Sequence, residues 1–206
     1  MSQAAQPGAG FSPGRVKWKR FAYIMVPAAA MAAMLVGLTA KGAIGANISV
    51  SGKEYLVTAD ELDGSGFEQF AKYDTQGNGQ VPVAVSGIGS AKLTNLCQAV
   101  DTGVGNISII LRAGQPGGTP VSASNLIVDA SSLAGDATFT NIAIGQDAGT
   151  LAQGPGAGVN GQAGTFGEQA GGVVIKNLVQ NTWLTTAGTF TLPGLSLKVS
   201  TNGATC

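Results

Sequence analysis

The sequence predicts an all-β protein, because apolar residues recur at every second position along several short stretches. Residues 48–51, 81–85, 107–111 and 195–199 all alternate in this way, as strands with one buried face do. Gly and Asn separate the stretches as turn residues, and no window beyond residue 46 has a long amphipathic helical pattern. We therefore predict a single antiparallel β-sandwich or curved-sheet domain over residues 47–206, with an irregular β-solenoid as the alternative.

The amino-terminal part has a different composition and predicts a membrane segment. Residues 1–20 include four basic residues, and the next twenty residues carry no charge. Twenty residues make a helix of about 30 Å, which matches the core of a bilayer. We predict a transmembrane helix or uncleaved signal anchor over residues 21–44, with the basic tail in the cytoplasm and residues 47–206 outside the cell. The alternative is a signal peptide cleaved after Ala46, which would give a secreted protein.

Charge and cysteine content describe the exported part further. Six basic residues and all eleven acidic residues lie beyond Ala46, so this part is mildly acidic and offers no electrostatic basis for binding nucleic acid. Cys97 and Cys206 are the chain's two cysteines. An oxidising compartment favours a disulfide between them, which would hold the otherwise fraying carboxyl terminus.

A weak internal repeat is built around asparagine. An apolar-x-Asn-apolar core surrounds Asn95, Asn141 and Asn177, and a fragment of it surrounds Asn125. The successive separations of 30, 16 and 36 residues are irregular, whereas a regular solenoid repeats at a steady period. The irregular spacing therefore favours the curved sheet, and the irregular solenoid remains the alternative.

Residues 145–172 are Gly-rich and contain no β-branched run, which predicts a long flexible loop. Gly156, Gly158 and Gly161 within it spell G-x-G-x-x-G. A dinucleotide-binding fingerprint needs a preceding strand, a following helix and an acidic residue about 20 positions further on. Lys176 stands near that place instead, so we predict no nucleotide site.

Other motifs fail for similar physical reasons. The chain has no histidine, which excludes Ser–His–Asp catalysis and imidazole metal ligands. A formal G-x-S-x-G string around Ser12 lies in the amino-terminal tail, without the strand-to-helix turn that a nucleophile requires. Residues 74–79 imitate the start of an EF-hand loop, but Val85 stands where a bidentate Glu is needed, and an Asn-Gly hairpin turn explains the segment better. We predict no catalytic, cofactor-binding or metal-binding residues.

Carboxylates are the remaining catalytic candidates. Asp60, Glu61 and Asp63 form the densest acidic cluster. Together with Asp136 or Asp147 they could supply the carboxylate pair of glycosidic chemistry, which needs no histidine. The alternative for all of them is a solvated turn, since Gly64, Gly135 and Gly145 lie nearby.

Several segments carry a resemblance to a known family. They are residues 18–22 (WKRFA), 49–52 (SVSG), 94–98 (TNLCQ), 135–142 (GDATFTNI) and 144–148 (IGQDA), with the terminal Cys206. Together they resemble a family of uncharacterised, membrane-anchored envelope proteins of actinobacteria related to Streptomyces. Some of its members carry the automatic label "cholesterol esterase". The resemblance implies an envelope location and brings no catalytic residue, and the missing histidine argues against the esterase label.

The sequence as a whole thus predicts a non-catalytic, membrane-anchored envelope protein that acts as a structural or binding module. Its expected partners are the membrane, through residues 21–44, and a lipid or a membrane protein. We expect no cofactor and no nucleic acid. The alternatives are a protein that binds a lipid or sterol in an apolar cleft lined by some of its aromatic residues, and an ester hydrolase on a Ser–Lys or paired-carboxylate plan.

Overall fold

The structure is a computed structural model that describes residues 52–77, 79–156, 159–203 and 205–206. The basic tail, the membrane helix predicted over residues 21–44, the G-x-S-x-G string and the strand predicted at 48–51 lie outside these residues. Within them, no helix has the length and apolar character needed to cross a membrane.

Nine strands and one short 3₁₀ turn make up the regular secondary structure of the described residues, so the all-β prediction is confirmed. The strands are β1 (Tyr55–Gln76), β2 (Gly79–Thr94), β3 (Leu96–Asp101), β4 (Ser108–Ala113), β5 (Val121–Thr140), β6 (Ala143–Asp147), β7 (Phe166–Thr186), β8 (Thr189–Thr191) and β9 (Ser196–Ser200). The 3₁₀ turn, Ala148–Thr150, follows β6. All strand pairs are antiparallel.

The four longest strands close the curved sheet into a small barrel. β1 pairs with β2 and β7, and β5 pairs with both of these, so the ring is complete. On one side, Gly64 of β1 pairs with Ala91 of β2, which pairs with Ala123 of β5. On the other side, Gly64 pairs with Val173 of β7, which pairs with Phe139 of β5. These two residues of β5 are 16 positions apart. So large a stagger over four strands requires steep strand tilt, which accounts for strands of 16 to 22 residues.

Strands β3, β4 and β9 form an extension that leaves the barrel from the first residues of β1. The alternation at 107–111 and 195–199 correctly predicts β4 and β9. However, β9 is the outermost strand of the sheet, and both of its faces are largely exposed. The alternating pattern predicts one buried face for β9, but the apolar residues of this strand are exposed.

The four asparagines of the sequence repeat share one backbone conformation. Asn95, Asn125, Asn141 and Asn177 have φ angles of 55°, 49°, 54° and 53°, and no other non-glycine residue in the described part has a positive φ. Asn adopts this left-handed conformation more readily than most residues. Asn95 lies between β2 and β3, Asn141 between β5 and β6, and the other two interrupt strand pairing. The repeat therefore marks bends in the strands and not the coils of a solenoid.

The Gly-rich loop is shorter than predicted and is packed. β6 extends to Asp147 and β7 begins at Phe166, because the first residues of β7 pair with β1 and β6. The intervening loop covers the outside of the barrel, where Ala148 and Leu151 belong to a second small apolar cluster. Glycine is needed at Gly161, where a Cβ atom would lie 2.7 Å from the Cβ of Ala148.

Candidate functional site

The interior of the barrel is filled mostly by apolar side chains, with a few polar ones such as Ser86 and Gln180. Phe67 is one of the apolar side chains, and its ring centroid is 5.3 Å from that of Phe139. The cavity that remains measures about 30 Å³, which is room for about two water molecules. Ligand pockets typically measure about 300–1,000 Å³. A sterol or an acyl chain therefore does not fit inside the barrel in this conformation.

The carboxylates singled out in the sequence have separate structural roles. Asp60 accepts a hydrogen bond from the left-handed Asn95 (3.1 Å), and Asp136 accepts one from the left-handed Asn177 (2.8 Å). Asp147 caps the 3₁₀ turn by accepting from the backbone N–H groups of residues 149 and 164. Two of the candidates thus brace strand bends and a third fixes the loop.

The remaining acidic candidates are also separated from the others. Glu61 of β1 and Asp136 of β5 both pair in register with Lys176 of β7, so a basic residue stands between the two carboxyl groups. Asp63 pairs in register with Lys92 of β2. This arrangement supplies no carboxylate pair facing a common cleft.

The two loop motifs lack the context that their chemistry needs. Gly156 and Gly161 lie in the loop before β7 and no helix follows them, while Gly158 lies outside the described residues. Asp74 belongs to β1, and Gln76 pairs with Gly79 across a two-residue hairpin connection. In the described part of the chain, no group of three or more His, Cys, Asp or Glu residues is placed to hold a metal ion.

The most concentrated chemistry lies on the outer face of the barrel, beside the Gly-rich loop. Glu68, Phe70, Lys72 and Asp74 alternate along β1 and therefore share this face. Neighbouring strands add Val83, Val85 and Asp129 by register. The outer face thus combines the second apolar cluster with four ionisable groups.

Lys72 links two carboxyl groups on this face. Its Nζ atom is 2.9 Å from Asp74 Oδ1 and 2.9 Å from Asp129 Oδ2. The Asp129 side chain is 1% exposed and the Asp74 side chain 7%, whereas that of Lys72 is 41% exposed. The lysine stem therefore reaches from solvent and places its amine between two buried acids.

The electrostatic environment of the three groups is unusual. Burial raises the pKa of Asp129 to about 6; Lys72 opposes this shift and Asp74 adds to it. Burial lowers the pKa of Lys72, but its interactions with the carboxyl groups of Asp129 and Asp74 outweigh burial and leave that pKa above its ordinary value. Both carboxyl oxygens of Asp129 and Asp74 Oδ2 are buried without a hydrogen-bond partner among the described residues, so Lys72 contacts Asp129 Oδ2 as an ion pair whose angles are not those of a hydrogen bond.

Glu68 lies on the same face, directly beneath the loop. Its Oε2 atom accepts a hydrogen bond from the backbone N–H of Gly154 at 3.0 Å, and its buried Oε1 atom has no hydrogen-bond partner within the described ranges. Burial raises the pKa of Glu68, and the bond from Gly154 partly opposes this. Gly154 must be glycine because a Cβ atom there would overlap the Glu68 side chain.

Sequence reasoning missed Glu68, Lys72 and Asp129, and it considered Asp74 only as the start of an EF-hand-like loop. Asp129 lies within the apolar run 126–130, and an acidic residue inside a buried strand is rarely accommodated without a partner. That signal could have identified Asp129. Its partner could not be identified, because Lys72 is 57 positions away and comes near Asp129 only when β1 and β5 both pair with β2.

The predicted disulfide between Cys97 and Cys206 is confirmed, with the two Cα atoms 5.8 Å apart. Cys97 lies on β3, whereas Cys206 follows β9, and β4 lies between these strands. Cys206 is therefore bonded to a strand with which β9 does not pair. The bond fixes the outermost strand of the extension to the strand nearest the barrel.

The extension also exposes an apolar strip, composed of Leu195, Leu197 and Val199 with Val104 and Ile107 of the β3–β4 loop. Leu197 is 58% exposed and Val199 65%. In register, the β9 residues lie next to Ile109 and Leu111 of β4, so the strip continues an uncharged face. An open crevice of about 400 Å³ lies at the end of the extension, between the β3–β4 loop and residues 201–203.

Fold and site together define an all-β domain with a closed four-stranded barrel and a disulfide-bonded extension. The chain belongs to a family of unknown function, DUF6230, whose profile matches residues 51–206. No curated protein and no solved structure matches the chain.

Proposed function

We propose that this chain is a non-catalytic protein of the cell envelope, anchored in a membrane by residues 21–44 with the barrel outside the cell. The observation that carries the proposal is the apolar strip on the extension. Exposed apolar patches usually mark a surface that a partner covers. The Cys97–Cys206 bond supports the location, since disulfides persist in oxidising compartments.

We propose that membrane lipid covers the strip. If residues 21–44 span a bilayer, only residues 45–51 precede Gly52, and seven residues extend at most about 25 Å. Lys53 lies 3.7 Å from Asp101 at the end of β3, where the loop that carries Val104 begins. The short tether therefore supports a contact between this end of the extension and the membrane surface.

Photocrosslinking in the full chain, in its own membrane, tests this contact. A photoreactive amino acid replaces Leu197 in one variant and Lys198 in a matched control, because adjacent strand residues point to opposite faces. The expected result is lipid adducts from position 197 and few from position 198. Equal labelling at both positions, no lipid adduct, or adducts only to a protein or to a second copy would overturn the proposed lipid contact.

Two further measurements test the rest of the proposal. We expect the full chain to stay in membranes during alkaline washing and to retain residues 1–46. A soluble chain beginning at Asn47 would overturn the anchor. We also expect the purified chain to leave ester and glycan substrates unchanged, and sustained turnover would overturn the non-catalytic assignment.

A further inference from the structure

We infer that Lys72 and Asp129 join through an intramolecular amide bond, with Asp74 carrying the proton during its formation. The Lys72 amine lies 2.9 Å from a carboxyl oxygen of each aspartate. Nucleophile, electrophile and proton carrier are therefore in contact before any reaction begins. This inference concerns a different surface from the apolar strip and does not depend on the proposed function.

The surroundings of the three groups favour the reaction. The carboxyl group of Asp129 is buried, and Phe70, Val83 and Val85 of the second apolar cluster share its face. A buried ion pair keeps a large desolvation cost even when its geometry is good. A neutral amide removes that cost, because the charged pair no longer exists after the bond forms.

The step balances without an oxidant, a reductant or a co-reactant. The Lys72 nitrogen attacks Cγ of Asp129, the Nζ–Cγ bond forms, and one Cγ–O bond breaks. Of the three hydrogens on the ammonium group, one stays on the amide nitrogen and two leave with the Asp129 oxygen as water. Asp74 relays one of these two protons from the ammonium group to the Asp129 carboxylate before the attack and ends unchanged, so the carboxyl group is protonated when it loses its oxygen.

The electrostatics of the site favour the protonated carboxyl group that the step needs. A pKa raised to about 6 makes it easier for the Asp129 carboxylate to accept that proton, and a protonated carboxyl group loses water more readily than a carboxylate. The lysine is charged at rest, so it must first release a proton, and the adjacent Asp74 is the acceptor. Holding such groups in contact is equivalent to effective concentrations of about 10⁵–10⁸ M in favourable cases.

The bond would connect two strands that do not pair with each other. Lys72 is on β1 and Asp129 on β5, and Val83 and Val85 of β2 lie between them in register. The amide would therefore bind β1 to β5 across β2. Together with Cys97–Cys206, it gives the domain one cross-link in the barrel and one in the extension.

Mass spectrometry of the full chain, purified with its disulfide reduced, tests the inference. The expected mass is lower than the sequence mass by one water molecule. Lys72→Arg keeps the positive charge but lacks the amine nucleophile, so the loss should disappear. Asp74→Asn should slow or abolish the loss. Lys53→Arg, in the half-exposed pair with Asp101, is the matched control and should retain it.

Peptide mapping of the wild-type chain makes the test independent of variant folding. The expected product is a branched peptide in which Lys72 and Asp129 are joined, resistant to reduction. A wild-type chain of full sequence mass would overturn the inference. So would a water loss that maps to a cyclic imide within one segment, or one that persists in Lys72→Arg.

Discussion

Replacing Asn177 with alanine is expected to lower the free energy of unfolding by about 1–2 kcal/mol. Asn177 has a φ of 53°, and forcing an alanine into this left-handed region costs about that much. Its side chain also donates to Asp136 at 2.8 Å on an exposed surface, where an interaction with a charged group contributes about 0–1 kcal/mol. The backbone conformation should therefore account for most of the loss.

Asn177→Gly separates the two contributions, because glycine adopts the same φ without a steric penalty but lacks the side-chain donor. We expect this variant to stay within about 1 kcal/mol of wild type. Asn106 is exposed and lacks a positive φ, so Asn106→Ala should change stability by less than about 0.5 kcal/mol.

Chemical denaturation of the oxidised full chain in detergent measures these differences, and thermal unfolding should show about 2–4 °C per kcal/mol. If the glycine variant were as unstable as the alanine variant, the hydrogen bond and not the backbone would explain the asparagine. An equal loss in the Asn106 variant would remove the special role of the repeat altogether.

Three further changes have defined outcomes. Cys206→Ser should lower the free energy of unfolding by about 4–5 kcal/mol, because the disulfide closes a long loop; an unchanged denaturation midpoint would contradict this. Burial raises the pKa of Glu68 above its unfolded value, so this group favours folding at acidic pH and loses that contribution as pH rises through the raised pKa. Glu68→Gln should remove this pH dependence. A free energy of unfolding that changes equally with pH in the variant and in the wild type would refute this. Gly154→Ala should push the loop away from Glu68 and so speed hydrogen exchange over residues 151–156. Gly171→Ala is the control and should leave exchange there unchanged, because a Cβ atom at that position would lie 3.6 Å from the nearest atom. Equal protection of residues 151–156 in both variants would contradict the close packing.

The sequence predicts local features of this fold better than its closure. Period-two alternation identifies β2, β4 and β9, because alternation follows from the geometry of a single strand. The irregular asparagine repeat also carries local information, since each member fixes the backbone of its own bend. Ring closure depends instead on the pairing of β1 with β7, and no local pattern encodes a partner so far away.

The outer face illustrates the same limit for the site. Acidic clusters that are conspicuous in the sequence, such as Asp60–Asp63, brace strands or pair in register with lysines. The concentrated chemistry belongs to Lys72, Asp74 and Asp129. In the sequence only Asp74 attracts attention, as the start of an EF-hand-like segment, and the three groups come together only when β5 is placed beside β2. Burial of Asp129 is a tertiary property, and so is its raised pKa.

The pairing of β1 with β7 also sets an order of events during synthesis. Phe70 pairs with Gly167 and Tyr55 with Thr182, so every contact across this seam joins residues nearly a hundred or more positions apart. Such long-range pairing forms slowly, and an unpaired strand edge attracts other chains until it is covered. The hairpin of β1 and β2 can form early, but one edge of β1 must wait for the last long strand. The nascent chain is consequently most vulnerable to aggregation in the interval between the appearance of β1 and that of β7.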